Sequence, residues 1–530
     1  MNNRLEAIKK LSNLLENFSD PKRKALLGNK LDNILSKYFD RISSEKLAIA
    51  IVSRYGTQAL RKRYGIFERI IDNLDLNELL PLSNLLSVSN DYEVIKNKID
   101  SKLSIFLDYF NQSTYFLIKK EKDERETHVK IKLDYGSELK SLGFPHPYQN
   151  RVKLELEERI LNSPNGYSSL IVMPTGSGKT RTSIEFMIDF IRSKKISNTL
   201  WIVESPELSE QSLNSFIELW KLRGDRELDV FRCFGNFTPS DSIKLIEKSN
   251  IIFGAFSKMN SLKDTNDSFY NLLSNNVDLI IIDEAHFSLA ETYEKLISDI
   301  CNKNKNIFKI GLTATPIRED DDEFYGLKNY FSRNIVDFKD SKEKIIENPL
   351  KYLQNEGYLA ELDIEYLNIP DSELIETSRE FNDKVIQRII SSVDENKQIL
   401  VFAMSKYHAI ALDILLKDKG VRSECIVGEI AVNDRQNFFN SFELENNHEK
   451  KINVLINFGI LSTGIDLPKV DELFLLRKFG NHATAMQVIG RALRGEKNGG
   501  NIKNKIISVK GNEEIVDDPS DLYNLIKNMY

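Results

Sequence analysis

Two hydrophobic rhythms divide the chain. Over residues 1 to about 125 apolar side chains recur every three or four positions, with Leu5, Ile8, Leu11, Leu15 and Phe18 on one face and Leu27, Leu31, Ile34, Leu35 and Tyr38 on the next. That period predicts amphipathic helices. Ser19-Asp20-Pro21 between them supplies helix-start chemistry. From Phe144 the rhythm changes to short apolar runs separated by amphipathic stretches, the sign of a parallel sheet wrapped in helices. Strands are expected at Leu170 to Met173, Thr199 to Val203, Asn250 to Phe253, Leu279 to Ile282 and Phe308 to Leu312. A second α/β unit follows, with strands expected at Ile364 to Leu367, Gln398 to Phe402, Arg422 to Val427, Asn453 to Ile456, Glu472 to Leu475 and Lys505 to Val509.

This predicts an α/β protein of two tandem parallel-sheet domains, residues 126–345 and 346–530, preceded by an α-helical accessory domain, residues 1–125. At 530 residues the chain exceeds one core, since single cores stop growing near ~250 to 300 residues. Lys119 to Thr127 reads as a linker, and His128 to Leu133 alternates as a short strand would.

In such sheets ligands gather beyond the carboxyl ends of the strands. The first exit reads Met173-Pro-Thr-Gly-Ser-Gly-Lys-Thr180. Gly176 and Gly178 let the backbone turn its N–H groups toward an anion, and the helix starting near Lys179 adds its positive end. Ser177 lies between the glycines. Lys179 is placed to reach β- and γ-phosphates, and the Thr180 hydroxyl to take a position on Mg²⁺. A strict phosphate loop opens with Gly where this chain has Met173. The exit after Leu279 to Ile282 is Asp283-Glu284-Ala285-His286, suited to Mg²⁺ at Asp283 and a polarised water at Glu284. The next exit carries Thr313 and Thr315. In the second unit Gln487 to Arg494 sets Arg491 and Arg494 three apart, which predicts one helix face. Such a pair suits an arginine finger toward a neighbouring domain's site; surface salt bridging is the plainer alternative.

Charge and composition narrow the field. The net charge of −6 argues against uniform coating of nucleic acid and leaves binding through a local groove open. Residues 1–125 hold 22 Lys+Arg against 17 Asp+Glu, and their clearest basic run is Arg61-Lys62-Arg63 beside Tyr64. That run reads equally as a phosphate contact or a solvated helix face. Three scattered cysteines and six histidines give no metal-ligand spacing. No apolar run nears the ~20 residues that span a bilayer, and the N-terminus lacks signal-peptide order. A cytoplasmic protein with no membrane partner is therefore expected.

Together these stretches resemble the core of helicase superfamily 2, two RecA-like domains that clamp ATP and track along nucleic acid. The likeness covers roughly residues 140–510. Pro147-Tyr148-Gln149 is similar to the adenine-reading element, Met173 to Thr180 to motif I, Asp283 to His286 to motif II and Thr313 to Thr315 to motif III. Ile399 to Phe402 with His408-Ala409 resembles motif IV, Leu461 to Pro468 motif V, and Gln487 to Arg494 motif VI. The strings Ser462-Thr-Gly-Ile-Asp-Leu-Pro468 and Gln487-Val-Ile-Gly-Arg-Ala-Leu-Arg494 look like those of DNA-translocating type I and type III restriction motors and transcription-repair helicases. Two positions depart from the pattern: Glu204 stands where motif Ia usually has Pro, and Gly254-Ala255 replace the hydroxyl-bearing residues of motif Ib.

The resemblance implies a nucleic-acid-stimulated ATPase using ATP and Mg²⁺. It implies Lys179, Glu284, Arg491 and Arg494 as catalytic residues, and Gln149, Gly176, Ser177, Gly178, Lys179, Thr180 and Asp466 as the nucleotide site. Thr180 and Asp283 would hold metal, His286, Thr313 and Thr315 would couple the domains, and Ser205, Pro206, Thr463 and Gly464 would touch nucleic acid. DNA is favoured over RNA, in a bacterial defence or repair setting with a nuclease or effector partner. An RNA-remodelling ATPase and an ATP-gated switch without strand movement are the alternatives. The N-terminal helices are assigned to partner or duplex engagement.

Overall fold

In the computed structural model, the structure describes residues 2–61, 66–74, 76–117, 125–133, 143–163, 166–194, 197–240, 248–265, 267–314, 322–336, 338–340, 342, 344–428, 430, 432–445, 448–459, 470–477 and 488–509. The chain forms two compact units. The first in sequence to hold a sheet comprises the described residues of 125–359 with 488–498; the other comprises those of 2–117, 360–477 and 499–509.

The phosphate-loop unit is built on eight strands: β1 (His128–Ile131), β2 (Tyr167–Val172), β3 (Asn198–Val203), β4 (Leu228–Cys233), β5 (Asn250–Ala255), β6 (Leu279–Asp283), β7 (Phe308–Thr313) and β8 (Ile335–Val336). Their order is β1-β4-β5-β3-β6-β7-β2-β8, parallel except for β1 against β4. Leu200, Ile202, Ile252, Ile280 and Ile282 are wholly buried and form its core. The central strands read as apolar runs because helices cover both faces.

Two strands escape the hydrophobic pattern. β4 carries Asp229 and Arg232, charges that argue against a buried strand, yet each is paired: Arg232 grips Glu210 at 2.7 and 2.8 Å, and Asp229 meets His128 at 2.5 Å and Lys248. β8 is two residues long, too short to show a period.

The other unit holds β9 (Glu361–Leu367), β10 (Ile399–Phe402), β11 (Ser423–Ile426), β12 (Val454–Asn457), β13 (Glu472–Leu475) and β14 (Lys503–Val509), all parallel in the order β11-β12-β10-β13-β14-β9. The N-terminal helices pack within this same unit. Arg4, on the helix Asn2–Leu14, donates to Glu424 at 2.9 Å and to Ser53 at 3.0 Å, and Glu424 lies on β11. Lys46 pairs with Asp418 at 2.8 Å, Arg54 donates to the Tyr407 hydroxyl at 3.3 Å, and the Tyr115 hydroxyl donates to Asp434 at 2.5 Å.

Within the helical region the two predicted faces need correction. Leu5 is 52% exposed while Ile8, Leu11, Leu15 and Phe18 are buried. The second face is split between helices Asp20–Leu27 and Asn29–Leu35, because Gly28 breaks the chain between them. Ser19 does precede the first of these, with Pro21 in its first turn. Of the basic run only Arg61 is described: it donates to the Leu117 carbonyl at 3.2 Å, while Lys62, Arg63 and Tyr64 lie outside the described residues. The linker reading likewise falls mostly on residues outside that set.

Candidate active site

β2 delivers the chain at Val172 into a turn that the sheet itself anchors: the Met173 N–H donates to the Thr313 carbonyl at 3.1 Å. The Ser177 N–H and hydroxyl both donate to the Pro174 carbonyl, at 3.1 and 2.6 Å, closing the loop. Gly178 then takes φ +79° and caps the helix Lys179–Ser193. The φ calls for glycine, and a Cβ there, 2.3 Å from Gln149 Nε2, would have to displace the Gln149 amide. A helix N-terminus opening at this turn is suited to an anion.

Lys179 leads from this turn to the end of β6. Its ammonium, only 8% exposed, lies 2.9 Å from Glu284 Oε1 and 3.4 Å from Asp283 Oδ1. Burial alone would lower the lysine pKa, but Glu284 and Asp283 outweigh it and hold the ammonium more firmly charged. Asp283 is pushed up by burial, and by the Glu284 charge, against the pull of Lys179. Two carboxylates thus share one cation in a desolvated place. The Thr180 hydroxyl donates to Asp283 Oδ2 at 3.3 Å. Thr180 and Asp283 form an all-oxygen donor set of the kind Mg²⁺ prefers, and a second cation would relieve the crowded negative charge. The residues fit the metal.

Glu284 adopts φ +53°, a left-handed conformation uncommon outside glycine and often found at functional sites. His286 follows on the 3-10 turn Ala285–Leu289, its Nδ1 3.6 Å from Glu284 Oε2. Burial lowers its pKa, which keeps the imidazole neutral near pH 7. Thr313 ends β7 fully buried.

The adenine-like element sits against the loop. Gln149 Oε1 accepts from the His146 N–H at 2.9 Å, Gln149 Nε2 donates to the Ser177 carbonyl at 2.9 Å, and the Tyr148 hydroxyl donates to the same carbonyl at 2.6 Å. The segment 488–498 also lies in this unit. A Cβ on Gly490 would be 2.1 Å from Thr175 Cγ2, so motif VI backbone packs directly on the phosphate loop. This contact has no sequence signal beyond a glycine in both partners' neighbourhood. His146 Nε2 meets Asn498 Oδ1 at 2.7 Å, extending the same packing.

One expectation changes here. Arg491 and Arg494 do not share a helix: residues Gly490–Ala492 form a single 3-10 turn, and Arg494 pairs antiparallel with Leu359. The Gly495 and Lys497 amides donate to the Tyr358 and Gly357 carbonyls at 3.1 and 3.0 Å, so the backbone is satisfied across segments and has no need of a helix. Ser205 caps the helix Pro206–Arg223, accepting from the Leu208 N–H at 3.3 Å, with Pro206 in its first turn. Glu204 beside it, though on the surface, has a raised pKa, from partial desolvation and then from the Glu284 charge. Thr315, Thr463, Gly464 and Asp466 lie outside the described residues. So does the Arg491 side chain.

Two family models match the chain: type III restriction enzyme, res subunit, over residues 144–318, and helicase conserved C-terminal domain over residues 380–496. A protein of Sulfolobus islandicus filamentous virus named as a helicase is 25% identical over 350 residues, covering 62% of this chain and 58% of its own. A protein of Methanocaldococcus jannaschii named as an ATP-dependent RNA helicase is 24% identical over 358 residues, covering 67% and 84%. The solved ATP-dependent Type ISP restriction-modification enzyme LlaBIII bound to DNA superposes with a TM-score of 0.52 at 15% identity, over 73% of this chain and 30% of that one. With two parallel-sheet domains, a phosphate loop and an acidic pair in register, the chain belongs to helicase superfamily 2. It spans little more than half the length of the viral relative. No helix among the described residues is long and apolar enough to cross a membrane.

Proposed function

We propose that the chain is a nucleic-acid-stimulated ATPase that couples ATP hydrolysis to movement along nucleic acid, with DNA favoured over RNA. The observation that carries this reading is the buried triad of Lys179, Asp283 and Glu284 at the mouth of the phosphate loop. With ATP at the phosphate loop, the loop amides and Lys179 would bind the phosphates, and Lys179 would exchange its carboxylate partners for phosphate oxygens. Thr180 and Asp283 would hold Mg²⁺, which supplies charge neutralisation on the phosphate oxygens when bound. Glu284, released from Lys179, would orient the attacking water and accept its proton. Arg491 and Arg494 would neutralise charge developing on the transferred group; fingers of this kind contribute on the order of 10³ to 10⁵ in rate elsewhere. Ser205, Pro206, Thr463 and Gly464 would line the nucleic-acid path, and His286, Thr313 and Thr315 would report the nucleotide state.

The restriction-type family model and the DNA-bound LlaBIII structure support DNA, and a setting in bacterial defence or repair with a nuclease or effector partner. The RNA-helicase relative supports RNA as the second reading, because its match spans most of its own length. Steady-state ATP hydrolysis with duplex DNA, single-stranded DNA, RNA or no polymer tests both. Stimulation by DNA above RNA is expected; stimulation by RNA alone would select the second reading, and hydrolysis indifferent to all three would sink the motor. Lys179→Ala and Glu284→Gln should each abolish turnover.

A further inference from the structure

We infer that Glu185 is a positioning residue for the base end of the nucleotide site, acting through Arg181 and Arg223 on the segment that carries Gln149; the inference rests on the ATPase reading above. Glu185 is 2% exposed on the second turn of the phosphate-loop helix. Burying a carboxylate there is costly unless it is paired. Both its oxygens are: Arg181 Nε donates to Oε1 at 2.9 Å, and Arg223 Nη1 donates to Oε2.

The two guanidinium groups converge a second time. Arg181 Nη2 and Arg223 Nη2 both donate to the Gly143 carbonyl, at 3.0 and 2.9 Å. One buried anion thus fixes two planar cations, and these fix one carbonyl at the start of the segment running into His146 and Gln149. Arg223 also lies 5.5 Å from the ring centroid of Phe144, a phenylalanine left 91% exposed. An aromatic ring held by a cation and a backbone anchor, and left uncovered among the described residues, is poised to meet a planar ligand group. Gln149 sits six residues further on, its amide orientation set by the His146 N–H and the Ser177 carbonyl. Its amide nitrogen also hydrogen-bonds the Tyr148 side chain, and a second lone pair on Oε1 remains to accept from a base edge. The phosphates occupy the loop at residues 176–180, so the base would extend toward this flank of the helix.

Arg181 and Glu185 are four apart on one helix, which by itself is an ordinary surface pair. The convergence of Arg223, from a separate helix, on the same two acceptors is what makes the arrangement a brace. Each arginine reaches the carboxylate through one nitrogen and the carbonyl through another, and charge-assisted hydrogen bonds are stronger than neutral ones.

Steady-state kinetics with ATP, GTP and UTP test the inference. In Glu185→Ala the KM for ATP should rise by about tenfold, the loss of a charge-assisted hydrogen bond's positioning. kcat at saturation should stay within about twofold, since the phosphate-side contacts remain. The preference for ATP over GTP and UTP should shrink in the same variant. An equal KM rise for all three nucleotides, or a fall in kcat at constant KM, would overturn the assignment. Arg223→Gln, which leaves the buried carboxylate paired to Arg181, should give the same selective change and carries the test if Glu185→Ala fails to fold. Unchanged ATP selectivity in a folded Arg223→Gln protein would equally overturn it. A wild-type protein that hydrolyses no nucleotide would count against the ATPase reading instead.

Discussion

Gly178 and His408 show how much a single position settles. At Gly178 the backbone is left-handed and the space for a Cβ is already taken by Gln149. Gly178→Ala should therefore displace either the loop or the Gln149 amide, and titration calorimetry should find ATP affinity lowered by tenfold or more, a cost of about 1.4 kcal/mol or above. The phosphate loop and the Asp283-Glu284 pair were legible because residue type and strand exit coincide. The Gln149 lock was legible only by resemblance. His408, which the sequence offers only as part of a motif IV likeness, is fully buried. Its Nδ1 accepts from the Met404 N–H at 3.2 Å and its Nε2 meets Asn382 Oδ1 at 2.9 Å, which defines a neutral ring protonated on Nε2. Burial lowers its pKa to about 3. The unfolded chain therefore binds the extra proton first as pH falls, and stability is lost from the unfolded pKa downward to the folded one. Between pH 6.5 and 3 the loss should approach ~1.4 kcal/mol per pH unit from this group. Hydrogen exchange of the helix Lys406–Asp418 should show it, and His408→Gln should flatten the dependence.

Among elements, the central strands β2, β3, β5, β6 and β7 follow their apolar runs to within a few residues, because burial on both faces leaves little else for those runs to be. β4 was illegible for the opposite reason: its charges are neutralised by partners from other elements, which no local window contains. The motif VI segment fails differently. A three-residue spacing of arginines implies a helix only if the backbone bonds locally, and here residues 494–498 bond to residues 357–359 instead. Its most testable contact is Gly490 against Thr175. Gly490→Ala should lower ATPase turnover by pushing the motif off the loop, since its Cβ would sit 2.1 Å from Thr175 Cγ2. Thr175→Ser removes that methyl, so the double variant should recover part of the lost kcat. Failure of any recovery would place the effect of Gly490→Ala elsewhere.

For the molecule as a whole, the sequence separates a helical region from two sheets, and cannot say which sheet it joins, because the contacts lie hundreds of positions apart. Arg4 to Glu424 is the clearest of them. Arg4 is fully buried; burial works against its charge, but Glu424 leads several acidic groups that outweigh the penalty. Glu424 is in turn held below its usual range, against its own burial, by Lys417 and Arg4. The guanidinium lies over the Phe438 ring as well, 5.1 Å from its centroid. Removing one partner of a buried pair leaves the other charge unsatisfied, so Arg4→Ala should destabilise this unit by about 3 to 5 kcal/mol. The readout can be made specific to the unit. Both tryptophans, Trp201 and Trp220, lie in the phosphate-loop unit, so the fluorescence transition in denaturant should stay where it is. Far-UV circular dichroism should gain an earlier transition, and the helices Asn2–Leu14 and Lys406–Asp418 should lose hydrogen-exchange protection together. If only Asn2–Leu14 loosens, the N-terminal helix is an attached arm; if both do, the helical region and the second sheet are one folding unit.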